Sequence, residues 1–211
     1  LTTGGAVAVD ALLPPPPFFG QLPVLPAYTP RHEAEDKDTH QCHVILGTRA
    51  YGLNHPRRMT LALVTNLLGG PGMSARLNLS LRERHALVYT VESFFITYSD
   101  TGVWGVYFGC DPHDVSHCRR LVRRELDRLM AAPLTSAQLR AAKQQMKGQV
   151  AVASDGHESY ALDMAKLFLH QGKLKNVQRV LDAIDAITAA DVQAVAQDLF
   201  APEALTEVVW H

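Results

Sequence analysis

Almost every feature that would announce an activity is absent from this 211-residue sequence. No apolar run approaches the length of a bilayer span, and the N-terminus lacks a basic region followed by an apolar one, so a membrane partner is not expected. The net charge is −1, which leaves no electrostatic footprint for nucleic acid. Three cysteines, Cys42, Cys110 and Cys118, stand at unrelated spacings without a C-x-x-C pair, which removes a zinc ribbon or a redox motif. Reduced thiols in a reducing compartment, with a cytoplasmic location, are the expectation. No H-E-x-x-H or H-x-x-E-H occurs, and neither His32-Glu-Ala-Glu nor Gly156-His-Glu158 has ligand spacing. No G-x-S-x-G elbow exists, and no cysteine has a convincing histidine partner. The glycines of Gly69-Gly-Pro-Gly72 end a helix instead of following a strand, and no G-K-[ST] completes a phosphate loop.

One pattern imitates a metal site. His113-Asp-Val-Ser-His117 places two imidazoles at i and i+4, with Asp where a zinc peptidase carries Glu. At roughly 100° per residue both lie about 160–200° from Val115, away from the apolar line through Cys118, Val122 and Leu129. The expectation is two solvent-facing histidines and no metal in this chain, since a catalytic zinc needs a third ligand and a sheltered cavity.

What is present describes an ordinary globular composition, 47% hydrophobic and 19% charged. The sequence opens on Leu1, which points to a processed product or a piece of a longer chain. Residues 1–39 read as a Pro-rich extended linker: Pro14 to Pro17, then Pro23, Pro26 and Pro30, then an acidic cluster from Glu33 to Asp38. Proline removes donors and fixes φ, which rules out a central strand or a helix there. Pro23-Val-Leu-Pro26 matches P-x-x-P but lacks the flanking basic residues of a recognition ligand.

Residues 40–211 read as one domain. His43 to Thr48 is a strand, and Met59, Ala62, Leu63, Asn66 and Leu67 mark a helix stopped by Gly69-Gly70. A short helix is expected over Ala75 to Arg84. Val88 to Tyr98 and Val103 to Cys110 form a hairpin around Ser99-Asp-Thr-Gly102. Asp111-Pro112 reads as an N-cap followed by proline at the first helical position, and Thr135 caps the next helix. Helices over 157–171, 177–187 and Thr188 to Phe200 precede a last strand, Leu205 to Trp210. The order implies an α+β fold, a mainly antiparallel mixed sheet covered on one face by several helices.

The informative stretch is Leu67 to Val91, LLGGPGMSARLNLSLRERHALVYTV. It resembles the insulinase, pitrilysin and mitochondrial-processing-peptidase superfamily of zinc metallopeptidases, in the C-terminal half that does not bind the metal. There a glycine turn, "SSRL" and "LREKRGLAYSV" follow one another. The matching residues are Gly69, Gly70, Met73, Ser74, Arg76, Leu77, Leu81, Arg82, Glu83, Leu87, Tyr89 and Val91. Ala86 departs from the family's glycine. The resemblance extends over about residues 40–211, through the "LT..QL..AK..MKGQ" phrase at Leu134 to Gln149.

The resemblance implies a substrate-binding half without its own catalytic residues. Arg82 and Tyr89 would contact the peptide, the guanidinium at a carbonyl and the phenol at a developing oxyanion. Zinc would sit in an N-terminal half or a partner subunit carrying H-x-x-E-H, in a single two-half chain or a dimer that encloses a peptide or unfolded segment. The other implied role is an inactive peptide-binding or scaffold subunit. From residue types alone, an exposed helix-end arginine and a tyrosine buried under the sheet are the better account of the pair, and the resemblance reverses that order.

Overall fold

The computed structural model describes residues 25–37, 40–155, 157–172 and 176–211. The Pro14–Pro17 run and Pro23 of the P-x-x-P segment lie outside them. Five strands form one mixed sheet in the order β1-β5-β2-β4-β3: β1 (His32–Glu35), β2 (Cys42–Ala50), β3 (Val88–Thr97), β4 (Gly102–Cys110) and β5 (Thr206–Trp210). β2, β3 and β4 pair antiparallel, as does β5 with β2, while β1 joins β5 in parallel. The helices are α1 (Arg58–Gly69), α2 (Val115–Ala131), α3 (Ser136–Asp155), α4 (His157–Gln171), α5 (Val177–Ala186) and α6 (Ala189–Leu199). This is the α+β arrangement expected from the order of patterns.

Alternation along the strands decides which sheet face the helices cover. Cys42, Val44, Leu46 and Thr48 of β2 are buried while the residues between them are half-exposed. Trp104, Val106 and Phe108 of β4 continue that buried face. Against it lie Leu61, Val64 and Leu68 of α1, Val122 and Leu126 of α2, and Val195 of α6. Trp104 and Phe200 hold the centre with ring centroids 4.3 Å apart. The helix stripes follow the 3.6-residue period that the apolar spacing announces. At α6 the start is a full capping box between Thr188 and Asp191.

Two features of the fold differ from the pattern reading. His32–Glu35 falls within the expected linker but forms an edge strand, tied by Glu207 N–H to Arg31 C=O at 2.8 Å and His211 N–H to Glu35 C=O at 3.2 Å. All four of its side chains are exposed, and His32, Glu33 and Glu35 keep this edge polar. The expected helix over Ala75 to Arg84 contains a π-turn, Asn78–Glu83, in which Arg84 N–H reaches back five residues to Leu79 C=O at 3.1 Å.

Candidate functional site: the glycine turn, the π-turn and the edge strand

At the end of α1 glycine does not serve the purpose usual at a helix terminus. Gly70 is extended, with φ −66° and ψ 175°, not left-handed. Space is what matters: a Cβ on Gly69 would collide with the Ser93 backbone, and one on Gly70 with Asn66. The bare Gly69 lets the last turn of α1 lie directly on β3, and the bare Gly70 lets the chain leave the helix close over Asn66. Ser93 secures that contact by donating its hydroxyl to Thr65 C=O at 2.5 Å.

The chain then turns through Pro71–Ser74 into the π-turn. Leu77 and Leu81 are fully buried on one side, and Arg82 projects on the other. Two nested bonds close the segment, Ala86 N–H to Arg82 C=O at 2.9 Å and Leu87 N–H to Leu81 C=O at 3.0 Å. The return requires a left-handed residue, and Ala86 takes it with φ 50°. This is the position at which the sequence departs from the family's glycine. Alanine there holds a conformation that L-residues disfavour by roughly 1–2 kcal/mol.

Between the glycine turn, the π-turn and β3 lies an open cleft of about 330 Å³, lined by Gly70, Met73, Asn78, Arg82, Thr90 and Glu92 among others. β3 is the last strand of the sheet, so among the described residues its outer edge has no strand partner. Arg82 enters this cleft without an ion pair among the described residues. Met73 on the rim is largely exposed.

Tyr89 is placed differently. The β3–β4 register slips between Val88 and Thr90, and the resulting bulge leaves Tyr89 and Thr90 both exposed instead of alternating. Thr90 lines the cleft; the Tyr89 ring, 57% exposed, does not, and its hydroxyl donates to Asp111 Oδ1 at 2.8 Å. The tyrosine is thus neither buried under the sheet nor joined with Arg82 in one pocket. A phenolate beside the Asp111 carboxylate would be disfavoured, so this bond holds the Tyr89 pKa above its ordinary value. Tyr89 stays a proton donor through the neutral range.

Asp111 was missed as a site residue because an Asp before Pro reads as a helix cap. Its side chain makes no capping bond, and α2 begins only at Val115 after a tight turn over Pro112–Asp114. That turn also alters the histidine geometry. His113 lies outside α2, its side chain 77% exposed, and its Nε2 is 3.4 Å from Asp114 Oδ2. His117 is not simply solvent-facing: it is half-buried, edge-on to His85 at 5.5 Å. His85 in turn donates Nδ1–H to Ser80 C=O at 2.6 Å, bracing the π-turn from outside.

Among the described residues, Asp111, His113 and Asp114 offer ligand atoms within 4.8 Å of one another. The set does not fit a catalytic zinc. His113 is exposed on a surface turn between two half-buried aspartates, and Asp111 is already committed to Tyr89. The three thiols are buried, and burial raises the Cys42 pKa; the hydrogen bond between Cys110 and Cys118 raises the pKa of Cys110 and lowers that of Cys118. Burial keeps all three from an accessible surface.

The cleft thus brings a guanidinium, Arg82, and a carboxylate, Glu92, beside the outer edge of β3, while the Tyr89 phenol lies outside it on Asp111.

Comparison with known proteins identifies the family. Residues 6–146 match the family model described as the peptidase M16 inactive domain. An uncharacterized zinc protease of Streptomyces coelicolor is 33% identical over 92% of this chain and 42% of its own length. The beta subunit of the bovine mitochondrial-processing peptidase is 26% identical over 92% of this chain and 44% of its own. A solved protease from Helicobacter pylori shares the fold with a TM-score of 0.78 at 22% identity, covering 86% of this chain and 44% of that one. The chain spans less than half the length of the curated relatives it matches. It belongs to the M16 peptidase family, as a copy of the inactive domain.

Proposed function

We propose that this chain is the substrate-holding, non-catalytic half of a zinc-dependent endopeptidase, acting with a zinc-carrying half in the same chain or in a partner subunit. The observation that carries the reading is Arg82, a guanidinium without an ion pair among the described residues, in a cleft floored by a glycine turn and walled by the last strand of the sheet. An extended peptide along β3 would satisfy main-chain groups without regard to side-chain identity, which suits a broad range of unfolded segments. Arg82 supplies fixed donors for a substrate carbonyl. Tyr89, kept protonated by Asp111, supplies a hydroxyl that swings to an oxyanion once the peptide displaces that partner. The hydrolytic step belongs to the other half: the described residues provide no fitting zinc site, and the sequence has no H-x-x-E-H.

The experiment is peptide hydrolysis by the full-length protein or reconstituted pair, with Arg82→Ala and Tyr89→Phe variants. Losing one charged hydrogen bond lowers kcat/KM about 10- to 100-fold for Arg82→Ala, and losing a neutral one lowers it about 2- to 10-fold for Tyr89→Phe. Wild-type kcat/KM in both variants would remove the assigned roles.

The second reading is a silent peptide-binding or scaffold subunit, and one observation favours it: the Tyr89 hydroxyl is already satisfied within the chain. A scaffold tyrosine would lose stability but no peptide affinity on replacement by phenylalanine. Absence of hydrolysis by the full-length protein and its zinc-loaded partner selects this reading.

A further inference from the structure

A second recess, of about 360 Å³, is lined by Arg76, Leu79, Arg84, Glu125, Arg128 and Gln138. Arg76 leads into the π-turn and Arg84 follows it; Glu125 and Arg128 come from the end of α2, and Gln138 from the first turn of α3. Three guanidiniums share this space with one carboxylate. Glu125 is 4% exposed, and its carboxylate is committed to Arg128, whose Nη1 donates to Oε1 at 2.6 Å. Neither Arg76 nor Arg84 has an ion pair among the described residues. Arg76 is also half-buried, and desolvation depresses its pKa although Glu125 draws it back up. A guanidinium does not neutralise itself under such pressure, so a net charge of about +2 stands in the recess.

Gln138 adds a neutral donor. Its Oε1 accepts from Thr135 N–H at 3.0 Å while Thr135 Oγ1 accepts from Gln138 N–H at 3.3 Å. This box consumes the amide oxygen and leaves the Nε2 hydrogens for the recess. The positive end of α3's 20-residue backbone dipole lies at the same corner. Cations are repelled here. A carboxylate offers two oxygens and one charge; a phosphoryl group offers three oxygens and nearly two charges, the better match to three forked donors.

We infer that this recess is a phosphate-binding site, with Arg76, Arg84 and Arg128 holding phosphoryl oxygens and Gln138 Nε2 donating beside them. The inference does not depend on peptide binding at the Arg82 cleft.

The test is calorimetric titration of the full-length protein with inorganic phosphate and with glycerol phosphate, ionic strength being held constant with chloride. Saturable one-site binding is expected. Glycerol phosphate binding more tightly identifies a phosphorylated small molecule as the ligand, and equal or weaker binding identifies the free ion. Arg76→Gln and Arg84→Gln each weaken binding about 10- to 100-fold, as loss of a charged hydrogen bond does. Glu125→Gln keeps the side chain's volume and a bond to Arg128 but removes the competing charge, so it tightens binding several-fold. No heat beyond the chloride control overturns the inference, as does equal affinity in wild type and Arg84→Gln. Arg84 is exposed, so this variant decides even where Arg76→Gln lowers the melting temperature.

Discussion

Replacing Ala86 by glycine probes the turn that fixes Arg82. Ala86 holds φ 50°, and its N–H bonds to the Arg82 carbonyl at 2.9 Å, so the left-handed residue and the arginine backbone form one unit. The side chain is exposed, so removing its methyl opens no cavity. Releasing the left-handed strain gains about 1–2 kcal/mol. Glycine's greater freedom in the unfolded chain takes back about 0.4–1 kcal/mol. The net expectation is a gain of about 0–1.6 kcal/mol, centred near about 0.8, or about 2–3 °C in Tm at the centre for a chain of this length. Urea titration with an unchanged m-value is the assay. Ala86→Val is the opposing arm: a β-branched residue at positive φ adds strain, so it loses at least about 1 kcal/mol. Destabilisation by glycine of more than about 0.5 kcal/mol, or a neutral valine variant, would refute the assignment of strain to this residue.

Gly69→Ala drives a methyl into the Ser93 backbone; a loss of about 2 kcal/mol or more in urea titration is expected, and a neutral result would mean α1 does not rest on β3 as described. Thr188→Ala removes the α6 capping box and lowers stability by about 1 kcal/mol at neutral pH. Thr188 holds the Asp191 pKa below its usual value, so that carboxylate's contribution is present above the unfolded pKa near ~4 and lost as pH falls through the lower folded value. The gap between wild type and Thr188→Ala in Tm scans should therefore narrow in acid; a gap that widens below about pH 4 contradicts the bond. Cys42, Cys110 and Cys118 are buried, so a thiol reagent should label them only at the unfolding rate, and rapid native labelling of any one would be inconsistent with that burial.

The helices and the β3–β4 hairpin were legible because their information is local. The Cys118, Val122, Leu129 line and the Thr188 cap each lie within a few turns of chain, and the structure keeps both. β1 was not legible, for the opposite reason. His32-Glu-Ala-Glu has no apolar alternation to betray it, and it is held by backbone bonds to β5, more than 170 positions away. The π-turn was hidden more subtly. Leu77 and Leu81 satisfy an α-helical spacing, and only the five-residue reach of Arg84 N–H to Leu79 C=O shows the extra residue.

Arg82 and Tyr89 were identified through family resemblance, and their unequal placement could not come from motif spacing. Arg82 is presented by the π-turn and its left-handed close, inside the cleft and without an ion pair among the described residues. Tyr89 is presented by a bulge and is paired with Asp111, whose place before Pro112 disguised it as a cap. On the proposed reading this asymmetry divides their work. A peptide meets the Arg82 guanidinium without displacing a protein partner, so Arg82 acts from the first encounter and its loss falls on KM. Tyr89 must break a 2.8 Å bond before it donates elsewhere, and only an acceptor stronger than a neutral amide competes with a carboxylate. The tyrosine therefore belongs to the stage at which negative charge develops on the substrate, and its loss falls on kcat.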